Sequence, residues 1–156
     1  FSNNFEKIFI ARFPNVVGFD NTHGLIFDMM KKSKLTDQIK VLGDGYQKKP
    51  YIHVDHLVEI LFKIYKLKSK NKISIYNIGP DDEGITVRNI IKQLSCLGIF
   101  SNKKFSYEKK PIGWKGDIPK YSYNVEKLNK NLKSIKLQSS QSAIAKTITQ
   151  IKNKSP

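Results

Sequence analysis

Tyr123 and Lys127 fall four apart in a Y-x-x-x-K pattern. At that spacing a lysine one helical turn away lowers a tyrosine pKa so that the phenol can act as a base. Seven tyrosines in a chain this rich in lysine produce such a match by chance. The pair lies late in the chain with no phosphate-cradling loop before it, so it reads as a helix start rather than a catalytic pair. No G-x-x-G-x-x-G and no G-x-x-x-x-G-K-[ST] occurs, which removes the backbone cradles for a dinucleotide pyrophosphate and a nucleoside triphosphate. His53 and His56 are three apart, but a strand-to-helix junction is expected between them. With His23 far off and no H-E-x-x-H or Cys/His cluster, no metal site is assigned. Cys96, the single cysteine, excludes an internal disulfide. Its apolar setting, IIKQLSCLGIF, predicts a buried structural thiol rather than a nucleophile.

The 156 residues suit one soluble unit with enough chain to bury a core, and 39% hydrophobic content agrees. No apolar run reaches the roughly 18 residues of a membrane span, and the first residues lack the plan of a signal peptide. A cytoplasmic location is the expectation. The net charge of +15 invites a nucleic-acid reading. Against it, Arg12 and Arg88 are the only arginines, although arginine is favoured for base reading and bidentate phosphate contacts. The lysines are spread along the chain in pairs such as Lys31-Lys32 and Lys109-Lys110. A solvated lysine surface, able to attract a small anionic substrate, is preferred. A non-catalytic basic module binding RNA or another polyanion is the rival.

The elements that must position any site alternate between β and α, which gives an α/β class. Strands are expected at 7–13, 39–42, 51–54, 73–78 and 104–107. Helices are expected at 25–32, from Asp55 as N-cap to about Leu67, from a Thr86 cap to Leu97 with Gly98 as stop, and at about 124–130 and 140–152. The stripe Leu57, Ile60, Leu61, Ile64 and Tyr65 is the expected buried face of the longest helix. Residues 14–24 read as a loop, Gly43-Asp44-Gly45 as a turn, 109–120 as irregular, and the final KNKSP as disordered.

Four segments then resemble, in order and spacing, the extended short-chain dehydrogenase/reductase family, in particular its NAD-dependent epimerase/dehydratase members of the UDP-glucose 4-epimerase kind. Arg12 to Gly18 (RFPNVVG) is similar to R-x-x-N-x-x-G. Leu42 to Val54 (LGDGYQKKPYIHV) is similar to G-D-G-x-Q-x-R-D-[YF]-I-[HY]-V. Tyr76-Asn77-Ile78-Gly79 with Ile85-Thr86-Val87 resembles Y-N-[IL]-G … [IS]-[TS]-V, and Trp114 to Pro119 (WKGDIP) resembles G-D-[LIV]-P. Together they run from Ile8 to about Leu128.

The resemblance implies the C-terminal, substrate-binding part of an extended Rossmann-type enzyme, with the N-terminal cofactor half absent. Residues 1–18 would be the last portion of the NAD-binding sheet and 19–156 the substrate-binding domain. No catalytic residue is expected within the segment, which would be inactive alone. Phe13 and Pro14 would lie near the nicotinamide end of NAD. The nucleotide-sugar, a UDP- or dTDP-sugar, would meet Asn15 through its amide, Gly24 and Leu25 at a helix start, and Leu42 beside the nucleobase. Lys49 would sit at the diphosphate in the family's arginine position, and Asp117 at the ribose. Val87 and Trp114 complete the substrate-side set. The family pattern is altered at Lys49, at Pro50, at His56 (usually aspartate) and at Ile112 (usually arginine). The resemblance further implies a homodimer for the full-length enzyme, and strand 7–13 without its sheet neighbours would expose apolar surface.

Overall fold

The computed structural model describes residues 4–133 and 135–154. Its elements run β1 (Ile8–Arg12), β2 (Asn15–Val17), α1 (Leu25–Ser33), β3 (Gln38–Val41), β4 (Lys48–Lys49), β5 (Tyr51–His53) and α2 (Val54–Tyr65). They continue β6 (Ile73–Asn77), β7 (Ile85–Thr86), α3 (Val87–Cys96), β8 (Lys104–Tyr107), α4 (Glu126–Asn131) and α5 (Ser140–Lys154). The strands form four pairs: β1 with β6, β2 with β5 and β3 with β8 run parallel, while β4 and β7 are antiparallel. This is the expected α/β architecture of Rossmann type, built on parallel pairing.

Strand β5 shows how the sequence divides the interior. Successive side chains on a strand point to opposite faces, and on β5 both faces are covered. Tyr51 joins one apolar cluster, with Val17, Met29, Val41, Ile90, Leu94 and Ile144 from β2, α1, β3, α3 and α5. Ile52 joins the other, with Leu57, Ile60 and Ile64 of α2, Tyr76 of β6, and Val125 and Leu128 around α4. The halves are stitched by polar groups as well. The Ser140 hydroxyl, at the start of α5, accepts from the Tyr51 N–H at 3.2 Å and donates to Asp82 at 2.7 Å. His53 is 1% exposed. Its Nδ1 accepts from the Asp55 N–H at 3.2 Å, which places the neutral ring's proton on Nε2, 3.0 Å from Gln150 Oε1 of α5.

The structure corrects several expectations. The N-cap of α2 is His53 and the helix begins at Val54. Asp55 lies instead in the first turn, where its carboxylate meets the dipole and Lys146 at 2.6 Å. On α2, Leu57, Ile60 and Ile64 are buried, but Leu61 and Tyr65 are exposed, because beyond β1 no described element covers that flank. Cys96 is exposed: α3 buries Ile90, Ile91 and Leu94, and two residues past Leu94 turns the thiol about 200° round the helix. Strand β2 lies inside the stretch read as loop, its Asn15, Val16 and Val17 pairing with β5. Lys152, Asn153 and Lys154 belong to α5 rather than to a disordered tail, and Ser155 and Pro156 lie outside the described residues. Thr86 caps α3 as expected, its Oγ1 accepting from the Asn89 N–H at 3.2 Å.

Candidate functional site

The turn after β3 is made by Gly43 and Gly45, at φ 76° and 80°, a region that favours glycine. It reverses the chain toward β4 and leaves Leu42 half exposed at its rim. Gln47, 4% exposed, organises this turn from beneath. Its Nε2 donates to the Leu42 carbonyl at 2.8 Å, and its backbone carbonyl accepts from the Val87 N–H at 3.4 Å. One residue therefore ties Leu42 to the start of α3.

The β4–β7 ribbon carries Lys49 opposite Ile85. Here Gly84 (φ 87°) is indispensable, since a Cβ on it would stand 2.3 Å from the Lys49 backbone carbonyl. The Lys49 ammonium, 21% exposed, pairs with the Asp117 carboxylate, 3% exposed. The second oxygen of Asp117 accepts from the Gly113 N–H at 3.1 Å, and the Asp117 N–H donates to the Trp114 carbonyl at 3.0 Å. A Cβ on Gly113 would lie 3.6 Å from Leu42 Cβ. Leu42, Lys49, Trp114 and Asp117 are thus tied together through Gly113 and Gln47, while Val87 joins them only through its N–H on the Gln47 carbonyl and packs, like Leu25, on the first core.

The remaining candidates stand around this patch. Asn15 is exposed on β2 in register with Tyr51, two residues from Lys49. Phe13 is exposed just past the C-terminal end of β1, and the neighbouring Pro14 is buried against the Gly79 turn. Gly24 (φ 95°) and Leu25 open α1, whose first turn has no side-chain cap. Leu25 packs on the first core, not on the Lys49 patch.

Electrostatics around the patch have clear causes. Burial raises the Tyr51 phenol above its ordinary value, and the nearby Tyr121 and Asp117 add to that. Glu108 is held below the ordinary carboxylate value by the hydrogen bond from Lys40, then by the Gly43 N–H at 3.2 Å. Tyr123 is raised by burial, the wrong direction for a base, and the Lys127 ammonium donates to the Ile75 carbonyl at 2.7 Å. Sequence reasoning assigned no role to Gln47 or to Arg88. The Arg88 guanidinium carbon lies 3.8 Å from the Tyr107 ring centre and 4.5 Å from that of Tyr46, and Nε donates to the Asp44 carbonyl at 2.9 Å. Its signal in the sequence is its rarity, one of two arginines. Among the described residues no three His, Cys, Asp or Glu side chains gather to hold a metal, and no helix is long and apolar enough to cross a membrane.

Residues 3–79 match the family model of the NAD dependent epimerase/dehydratase family. No curated protein matches the chain. Among solved structures, a UDP-galactose 4-epimerase is similar at TM-score 0.74 and 23% identity, covering 94% of this chain and 46% of its own. A UDP-glucuronic acid 4-epimerase variant from Bacillus cereus, with a fluorinated UDP-sugar and NAD, is similar at 0.73 and 18%, covering 94% and 45%. A dTDP-glucose 4,6-dehydratase from Bacillus anthracis, in complex with NAD, is similar at 0.73 and 18%, covering 94% and 44%. The chain spans less than half the length of each. At these identities the likeness establishes the fold.

Proposed function

We propose, from the premise that residues 3–79 belong to the NAD-dependent epimerase/dehydratase family, that this chain is the nucleotide-sugar-binding portion of an NAD-dependent sugar-nucleotide epimerase or dehydratase. The observation that supports the proposal is the linkage of Leu42, Lys49, the Trp114 loop and Asp117 by the Lys49–Asp117 pair and the hydrogen bonds of Gln47 and Gly113, with Val87 reached through the Gln47 carbonyl. Its chemistry suits a nucleoside diphosphate. Leu42, Val87 and the exposed Trp114 offer apolar and aromatic surface to a base, and Lys49 offers a cation to the diphosphate. Asn15 presents an amide on β2 in register with Tyr51, itself two residues past Lys49, and the uncapped first turn of α1 at Gly24 and Leu25 offers free N–H groups to an anion.

Residues 1–18 act with the cofactor and 19–156 with the substrate, and β6 pairs beside β1. NAD, near which Phe13 and Pro14 would stand, would supply reversible hydride transfer with the sugar. The fit of this chain to NAD rests on β1 and β6, parallel strands whose carboxyl ends, Arg12 and Asn77, lie side by side. In open parallel sheets ligands bind outside those ends, where Phe13 and Pro14 stand. The 156 residues hold no G-x-x-G-x-x-G loop, and Tyr123 and Lys127 are otherwise engaged, so this segment binds a nucleotide-sugar without turning it over.

Titration with UDP, dTDP, UDP-glucose and uridine, followed by Trp114 fluorescence, tests the proposal. Saturable binding of the diphosphates, weakened by Lys49→Met, is expected. A chain indifferent to every nucleoside diphosphate sinks it, as does epimerase activity from these residues alone with NAD.

A further inference from the structure

The backbone that carries Lys49, the stretch Lys49-Pro50-Tyr51, is flanked on two sides. On one, Gly84 lies so close to the Lys49 carbonyl that an added Cβ would stand 2.3 Å from it. On the other, the Tyr51 N–H donates to the Ser140 hydroxyl at 3.2 Å. Pro50 between them is buried and has no N–H with which to add a bond of its own. Both flanking groups end on one carboxylate. Asp82 Oδ1 accepts from the Gly84 N–H and from the Ser140 hydroxyl, each at 2.7 Å, and Oδ2 accepts from the Ser140 N–H at 2.7 Å. Of the acidic run Asp81-Asp82-Glu83, Asp82 alone is half-buried, while its two neighbours are exposed.

We infer that Asp82 is a positioning residue for Lys49. Its carboxylate joins the turn before β7 to the start of α5 and so closes both sides of the backbone from which the Lys49 ammonium extends. The two-residue ladder of β4 and β7, Lys48 with Thr86 and Lys49 with Ile85, sets the register of that backbone. The Gly84 turn lies outside the ladder and is held by its bond to Asp82, a charged acceptor that binds N–H donors strongly. Ser140, 1% exposed, brings the second flank to the same acceptor. The ligand side of this inference rests on the nucleotide-sugar reading above; the link from Asp82 to the Lys49 backbone does not.

The test uses Asp82→Ala, Ser140→Ala and each of them combined with Lys49→Met. Hydrogen exchange read by peptide mass needs no ligand. Asp82→Ala is expected to speed exchange in 48–51 and 83–87 while α2 and β6 keep their protection, and Ser140→Ala to do so in 48–51 alone. Unchanged exchange in 48–51 in both variants, or an equal rise along the whole chain, overturns the positioning role. In titrations, Asp82→Ala is expected to weaken UDP binding about fivefold with uridine unchanged, and to add nothing to the loss caused by Lys49→Met. A loss shared equally by uridine, or one that persists in full beside Lys49→Met, overturns it. Ser140→Ala removes a single hydroxyl and carries the same comparison should Asp82→Ala not fold. A wild-type chain that binds no UDP overturns the nucleotide-sugar reading, and hydrogen exchange still decides the role of Asp82.

Discussion

Under the proposed function Lys49 takes the place of the arginine in the resembled motif, and its surroundings say what that exchange would alter. An ammonium is a compact charge with three donors, and here Asp117 already holds it. A guanidinium at the same place keeps the Asp117 contact and presents further N–H groups in a planar fork matched to phosphate oxygens. Lys49→Arg is therefore expected to tighten UDP binding about three- to tenfold while leaving uridine binding unchanged. Calorimetric titration checks this, and weaker UDP binding in the arginine variant would count against Lys49 facing the diphosphate. This residue also marks what sequence alone conveys. The types at positions 42, 49, 87, 114 and 117 were readable from their motifs. That Lys49 and Asp117 neutralise one another was not, because the partners lie 68 positions apart and no local pattern encodes a contact over that span. Cys96 shows a different failure: its apolar neighbours in sequence share the helix but not its buried face.

At the scale of elements, legibility follows how much of the stabilisation is local. Helix α2 announced itself because Leu57, Ile60 and Ile64 recur at the helical period, and α3 because Thr86 precedes it as a cap. Strands β4 and β7 have two residues each and exist only through one another, so no periodicity reveals them. Gly84 sits where this ribbon depends on a close approach: its φ is positive, and the 2.3 Å that would separate an added Cβ from the Lys49 carbonyl leaves no room for a side chain. Gly84→Ala is expected to cost about 3 kcal/mol of unfolding free energy and to weaken UDP binding with it, since Lys49 loses its register. Urea denaturation measures the first effect and titration the second; an alanine variant with wild-type stability contradicts the ribbon geometry. The ion pair between Lys146 of α5 and Asp55 of α2 carries a pH dependence. Asp55 is held below its ordinary pKa, first by the hydrogen bond from Lys146. A carboxylate with a depressed folded pKa contributes stability above the unfolded value, and that contribution is lost as pH falls through the folded one. The contribution is thus complete at neutral pH and fades below about pH 4. Asp55→Asn should lower the melting temperature at pH 7 and leave it nearly unchanged near pH 2; an equal loss at both pH values would place the effect elsewhere than in the charge.

On the whole molecule, charge and apolar surface make opposite demands. The excess of 28 basic over 13 acidic residues keeps copies apart at low salt. Much of the acidic complement is tied into surface pairs, Lys40 with Glu108, Lys63 with Glu59 and Lys103 with Asp37 among them. Against this stands one apolar flank. Among the described residues β1 pairs only with β6, and Ile10, Ile73 and Ile75 are exposed on the outer face of that pair. Beside it α2 exposes Val58, Phe62 and Tyr65, and a hollow of about 110 Å³ lined by Phe9, Ile10, Leu61 and Tyr65 lies between strand and helix. An open strand edge next to an apolar helix face is a template for association, and salt that screens the lysines removes what opposes it. The chain is therefore expected to associate as protein and salt concentrations rise, through this flank. Phe62 and Tyr65 are 62% and 77% exposed, so Phe62→Glu with Tyr65→Glu disturbs little of the interior and places two charges on the contact. Sedimentation velocity at low and at high salt checks the expectation: the wild type shifts toward larger species at the higher salt, while the double variant stays monomeric with its melting temperature kept. A wild type that remains monomeric in both, or a variant that associates equally well, would move the contact away from β1 and α2.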